Sequence, residues 1–121
     1  MCGFVGFSNF KEDISNSKEI IEKMNLSLMN RGPDEQGYYI NKHVALGHRR
    51  LIVIDPEGGK QPMIQKYSYG EYVIVYNGQI YNTKELRKTL EENGFTFHSH
   101  SDTEVLLKSY IHFGNEVVNH L

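Results

Sequence analysis

The sequence predicts an α+β domain with a mostly antiparallel sheet. Strand-like apolar runs follow one another through the middle of the chain without a helical crossover between them, whereas a doubly wound parallel sheet would need one at each step. The helical stretches open on Ser or Asn and close on Gly, which punctuates them clearly. The chain's 121 residues are also enough for one domain of this kind.

Each element has its own signal. Phe4, Val5 and Phe7, interleaved with Gly3 and Gly6, predict a short buried strand. Between residues 17 and 30 the apolar positions Ile20, Ile21, Met24, Leu28 and Met29 have helical spacing, with Ser17 as N-cap. Arg31-Gly32-Pro33-Asp34-Glu35-Gln36-Gly37 then forces a tight loop. Residues 38–40 and 43–54 read as strands, 55–60 as a loop, and 71–77 as a further strand. Asn82 opens a second helix with Glu85 in a capping box, and Gly94 is placed as its C′ residue. Residues 95–98 alternate Phe-Thr-Phe-His as a strand would. Ser101 with Glu104 repeats the capping box before Val105, Leu106, Tyr110 and Ile111, and Gly114 closes that helix. The predicted order is β-α-β-β-β-α-β-α, with no internal repeat. The apolar Val117-Val118 and the ending at Leu121 predict a chain cut short of its natural end.

Composition excludes several functions. Thirteen Lys and Arg against fifteen Asp and Glu give a net charge of −2, without the basic excess of a phosphate-backbone binder. The longest apolar runs are five residues, such as Tyr72-Val73-Ile74-Val75-Tyr76, too short to span a bilayer. A single cysteine allows no intrachain disulfide, and no secretory signal pattern opens the chain, so a soluble cytoplasmic protein is expected.

Several residues are candidates for chemistry. Cys2 reads either as a small buried hydrophobe or, once Met1 is removed, as an N-terminal nucleophile beside its own α-amine. That amine, with a pKa of ~7.7–8.0, can serve as the base. Asn77-Gly78 is either a hairpin turn or a side-chain amide and an open backbone N–H converging on an oxyanion. Arg49 and Arg50 end an apolar run, where one guanidinium can clamp a carboxylate. Period-2 geometry sends the two to opposite faces, one of them to solvent, and spacing does not say which. Asp102 suits the first turn of its helix. His98 and His100 share a predicted strand face, but no cluster with recognised metal spacing accompanies them, and no metal ligand is assigned.

Taken together, Met1-Cys2-Gly3-Phe4-Val5-Gly6, Arg31-Gly32-Pro33-Asp34, Arg50-Leu51-Ile52-Val53-Ile54-Asp55, Gln61-Pro62, Asn77-Gly78-Gln79-Ile80-Tyr81-Asn82 and Ser101-Asp102-Thr103-Glu104 resemble one family. It is the N-terminal glutaminase domain of glutamine-hydrolysing asparagine synthetases, class II glutamine amidotransferases of the N-terminal-nucleophile type. The resemblance spans the whole chain. It implies a layered αββα sandwich, with residues 1–121 as the N-terminal part of the glutaminase domain and the synthetase domain absent. Cys2 matches the nucleophile on the glutamine amide, Asn77 and Gly78 the oxyanion hole, and Arg50 the clamp on the α-carboxylate. Leu51, Ile52, Val53 and Ile54 match backbone lining the glutamine pocket, and Asp102 the acceptor for the α-ammonium. Gln79 stands where the family has a glutamate that also contacts that ammonium. The implied partners are L-glutamine, the C-terminal synthetase domain and, as an option, a second copy in a homodimer, with no nucleic acid and no membrane. No cofactor is implied for this stretch; ATP and Mg belong to the synthetase domain. The alternative is a degenerate module that binds glutamine, or only packs against a partner, without turnover.

Overall fold

The computed structural model describes residues 2–52 and 58–121. The chain divides into two compact units. The first takes residues 2–52 with Lys60–Pro62 and Val75–Asn77; the second takes 58–59, Met63–Ile74 and Gly78–Leu121.

In the first unit, β1 (Gly3–Ser8), β2 (Glu35–Ile40) and β3 (Val44–Arg50) form an antiparallel sheet in the order β1-β3-β2. Phe4 lies opposite His48, and Gly47 lies between Val5 and Tyr38. Helix α1 (Lys18–Leu26) packs on this sheet and closes a core of Ile14, Ile21 and Ala45, flanked by Val5, Phe7, Met24, Tyr38 and Ile40. The predicted strand at the start of the chain is present but is not buried on both faces. Gly3, Val5 and Phe7 turn inward, while Phe4 is 52% exposed, because α1 covers one side only. The predicted helix over 17–30 stops at Leu26. Beyond it the backbone tightens into three-residue turns, Leu28 N–H donating to Asn25 O and Arg31 N–H to Leu28 O. Ser17 sits at the N-cap without a side-chain cap bond.

The loop after α1 is held against the end of β3. Pro33 forms a parallel bridge with Arg50, and Asp34 N–H donates to Arg50 O at 2.9 Å. Only glycine fits at position 32 in this approach: a Cβ there would lie 2.3 Å from the carbonyl carbon of Arg49.

The second unit holds a hairpin of β4 (Met63–Tyr67) and β5 (Gly70–Ile74), α2 (Thr83–Glu92), α3 (Asp102–Phe113) and a 3-10 turn at Gly114–Asn119. Its core is Leu86, Leu90 and Val105, with Ile80, Phe95, Phe97 and Phe113 packed around it. Strand β4 is missing from the predicted order, although Met63, Gln65 and Tyr67 alternate with more exposed partners. The strand predicted over 71–77 ends at Ile74. Asn82 does not cap α2 with its side chain; its amide donates to His120 O at 2.7 Å. Gly94 does end α2 as predicted. With φ at 90°, it lets its own N–H reach Glu91 O and Phe95 N–H reach Leu90 O, the paired bonds of a Schellman ending.

Residues 95–98 form no strand. Thr96 O accepts from the Lys108 ammonium and His98 N–H donates to the Glu104 carboxylate, so side chains of α3 take the backbone groups a ladder would need. Among the described residues, two antiparallel sheets with three α-helices are the α+β architecture predicted, in keeping with a piece of an αββα sandwich. The predicted loop over 55–60 falls largely outside the described residues, since 53–57 are not among them.

The Gly32 approach gives a stability prediction. Gly32→Ala must push the loop backbone off β3, and overpacking of this kind costs ~1–3 kcal/mol. The urea midpoint of the variant should fall with the m-value unchanged.

Candidate active site

Strand β3 runs out at Arg50, leaving the next backbone groups without a ladder partner. Side chains satisfy them. Leu51 N–H donates to Cys2 Sγ at 3.3 Å and the Cys2 thiol donates to Leu51 O at 3.4 Å. Ile52 N–H donates to the Asp34 carboxylate at 2.8 Å. The half-buried thiol is therefore seated on the residue that follows Arg50. The Arg50 guanidinium is buried, with its side chain 5% exposed, and donates to Glu35 at 2.8 Å. A hydrogen-bonded thiol beside the chain position of a buried guanidinium can act as a nucleophile on a substrate anchored by a carboxylate.

Period-2 geometry places one of Arg49 and Arg50 in solvent, and the structure corrects this. Both residues are buried. Arg49 donates to Gly32 O at 3.0 Å and to the Gln36 side chain at 2.7 Å, so the 32–36 segment covers the face that would otherwise be open.

Tyr76 lies past the end of β5 and directly before Asn77. His48 Nε2 is 3.2 Å from Tyr76 O, and Tyr76 N–H donates to the Gln61 side-chain oxygen at 2.5 Å. Burial pushes the His48 pKa down against the pull of that carbonyl, with the nearby Arg50 charge adding to the depression, so the ring is neutral near pH 7. A carbonyl partner then assigns the ring proton to Nε2. Asn77, Gly78 and Gln79 follow in open, exposed backbone, and the hairpin alternative for Asn77-Gly78 does not hold. Here the chain passes from the first unit into the second.

In the second unit the Asp102 carboxylate accepts from Ile80 N–H at 3.2 Å, which ties the start of α3 to the residue after Gln79. Ser101 caps α3 by accepting from Thr103 N–H at 3.0 Å, as predicted. Glu104 does not complete the capping box. Its carboxylate turns to His98 N–H, Ser99 N–H, Ser99 Oγ and, at 2.6 Å, the Lys108 ammonium. Burial alone raises the Glu104 pKa, but the hydrogen bonds from Lys108, Ser99 and His98 outweigh it and hold it below its ordinary 4.5.

The structure thus brings Cys2, Arg50, Leu51 and Ile52 together with Asn77 in one unit, and Gly78, Gln79 and Asp102 in the other. Val53 and Ile54, predicted pocket residues, lie outside the described residues. His98 and His100 do not share a strand face, and among the described residues no group of three or more His, Cys, Asp or Glu is placed to hold a metal. Sequence reasoning missed Glu35 and His48, and it used Asp34 and Gln61 only as motif letters. Their neighbours in sequence give no sign of partners fifteen or more residues away. Among the described residues, no helix is long and apolar enough to cross a membrane.

Comparison with known proteins shows a family likeness along the whole chain. The family model described as glutamine amidotransferase domain matches residues 1–121. Two asparagine synthetases [glutamine-hydrolyzing] of Bacillus subtilis (strain 168), numbered 3 and 1, are each 46% identical over all of this chain, which covers 20% and 19% of their lengths. The asparagine synthetase [glutamine-hydrolyzing] of Brassica oleracea is 35% identical over 121 residues, again all of this chain and 20% of the relative. The chain therefore spans about a fifth of the length of the curated relatives it matches.

The Glu104–Lys108 pair generates a pH prediction. Because the folded-state pKa of Glu104 is depressed, its stabilisation is fully present above about pH 4.5 and is lost as pH falls through the lower folded value. Glu104→Gln leaves the Lys108 ammonium buried without its anion, a loss of ~3–5 kcal/mol for such a pair. Urea midpoints measured from pH 7 to pH 3 should show wild type well above Glu104→Gln at neutrality, with the gap closing below pH 4.5.

Proposed function

The chain belongs to the glutamine amidotransferase domain family, and from that premise we propose that it is the glutaminase module of a glutamine-hydrolysing asparagine synthetase. The observation that carries the reading is the Cys2 thiol seated on the backbone of Leu51, next to the buried Arg50.

With Met1 removed, the α-amine of Cys2 takes the thiol proton as sulfur attacks the side-chain carbonyl of glutamine. The carbonyl oxygen becomes an oxyanion, stabilised by the Asn77 side-chain amide and the Gly78 N–H. Collapse expels ammonia, which carries the proton away, and leaves a γ-glutamyl thioester on Cys2. Water then attacks the thioester and releases glutamate. The Arg50 guanidinium holds the α-carboxylate, and Asp102, with the Gln79 side-chain oxygen, accepts from the α-ammonium. The backbone at Leu51 and Ile52, fixed by Cys2 and Asp34, forms one wall of the pocket. The ammonia serves ATP-dependent amidation of aspartate in a synthetase domain outside this chain.

The test is paired. Cys2→Ala in the complete natural protein should abolish glutamate release from glutamine while ammonia-dependent asparagine synthesis continues. Residual glutaminase above about a hundredth of wild type is incompatible with a covalent role, since losing a nucleophile commonly costs several powers of ten. Intact mass should show the loss of Met1 in the active species.

Gln79 supplies a second prediction. An amide keeps the carbonyl acceptor but not the charge, and hydrogen bonds to charged groups contribute ~1.5–3 kcal/mol against ~0.5–1.5 for neutral ones. The difference, about 1 kcal/mol, acts equally on substrate and transition state and so appears in KM. Gln79→Glu should lower KM for glutamine about five-fold with kcat unchanged, and Asp102→Asn should raise KM more steeply. Steady-state glutaminase kinetics decide both.

A further inference from the structure

We propose that His48 and Gln61 are positioning residues for the oxyanion site: together they clamp the peptide groups on either side of Tyr76 and so fix where Asn77 starts. The inference rests on the glutaminase reading above, because it gives these two side chains a kinetic role through Asn77.

Three facts support it. Strand β5 ends at Ile74, so the ladder with β4 does not hold Tyr76. Both backbone polar groups of Tyr76 nevertheless have partners, and both partners are side chains from other segments: the N–H reaches the Gln61 oxygen and the C=O faces His48 Nε2. The His48 ring is itself buried, on a backbone that is held. It sits on the central strand β3, 1% exposed, and its own backbone carbonyl accepts from the buried Asn25 amide at 3.3 Å. The chain that leads into Asn77 is thus gripped from two directions by groups rooted in the first unit.

An oxyanion donor works only when it is already aimed at the place where charge develops. Tyr76 C=O belongs to the same peptide group as Asn77 N–H, so gripping that carbonyl sets the plane from which the Asn77 Cα and side chain depart. Losing either contact lets the plane rotate. Ground-state binding of glutamine, held at its α-carboxylate and α-ammonium, should hardly notice. The chemical step should.

The substitutions are chosen to separate hydrogen bonding from bulk. Gln61→Leu and His48→Leu remove a bond and keep volume. Gln61→Glu keeps an acceptor for Tyr76 N–H, and His48→Gln keeps a donor near the position of Nε2. In the complete natural protein, each Leu variant should lower kcat for glutamine hydrolysis ~10–100-fold with KM within about three-fold, in line with the cost of a misplaced or missing oxyanion donor. Gln61→Glu and His48→Gln should recover most of the loss. Backbone hydrogen exchange gives a readout that needs no activity: Tyr76 N–H should exchange faster in Gln61→Leu and regain protection in Gln61→Glu.

The outcomes are distinct. Wild-type glutaminase activity with unchanged kcat in a folded Gln61→Leu or His48→Leu overturns the inference. Loss of activity through KM alone, or loss not recovered by either conservative variant, overturns it as well. Should the His48 variants not fold, the Gln61 pair decides by the same criteria. If Tyr76 exchange responds as expected but the wild-type protein releases no glutamate from glutamine, the glutaminase reading has failed while the clamp remains a structural fact.

Discussion

The first unit depends on how the backbone of residues 50–52 is satisfied after β3 has run out of ladder. Arg50 O accepts from Asp34 N–H, Leu51 exchanges hydrogen bonds with the Cys2 thiol, and Ile52 N–H donates to the Asp34 carboxylate. Backbone groups left unpaired away from water are costly, so this short stretch compels the loop at 32–34 and the residue before β1 to meet there. The consequence is chemical as well as structural. The same bonds that finish the strand seat a thiol next to a buried arginine, and Gly32 is the residue whose lack of a side chain permits the approach.

The second unit solves a comparable problem by different means. Residues 95–100 have alternating side chains but no strand partner, and α3 supplies one in the form of Glu104 and Lys108. A carboxylate that accepts from two backbone N–H groups, a hydroxyl and an ammonium is expensive to bury and repaid only because every lone-pair direction is used. The arrangement fixes the loop that leads into Ser101 and Asp102, so the acid facing Ile80 N–H stands on a helix whose first turn is tightly specified. Phe97, under the Arg87 guanidinium at 4.2 Å, anchors the same loop from the apolar side.

Among the described residues, buried charge recurs in both units, each time with a counter-ion or hydrogen-bond acceptors. Arg50 has Glu35, Arg49 has Gly32 O and the Gln36 amide, and Lys108 has Glu104 and Thr96 O. Of these groups, Arg50 is the one the proposed glutaminase reading uses, and it is already buried and paired. Charged side chains already held in place, away from bulk water, lose little freedom when a substrate arrives.

How far the sequence alone reaches is visible in particular residues. Ser101 and Gly94 were legible as helix ends because caps and Schellman turns are decided within a few residues of chain. Cys2, the Arg49-Arg50 pair, Asn77-Gly78 and Asp102 were legible one by one as groups suited to chemistry; only the family resemblance joined them and singled out Arg50. The burial of both Arg49 and Arg50, the coil at 95–98, the diversion of Glu104 from its capping box and of Asn82 to His120 O were not. Nor were the holds of Glu35 on Arg50 and of His48 and Gln61 on Tyr76. The division has one physical cause. Periodicity and turn chemistry are local, and the sequence by itself determined them; the partner of a buried polar group is whatever the packed chain brings within about 3 Å, and only the tertiary structure decides that.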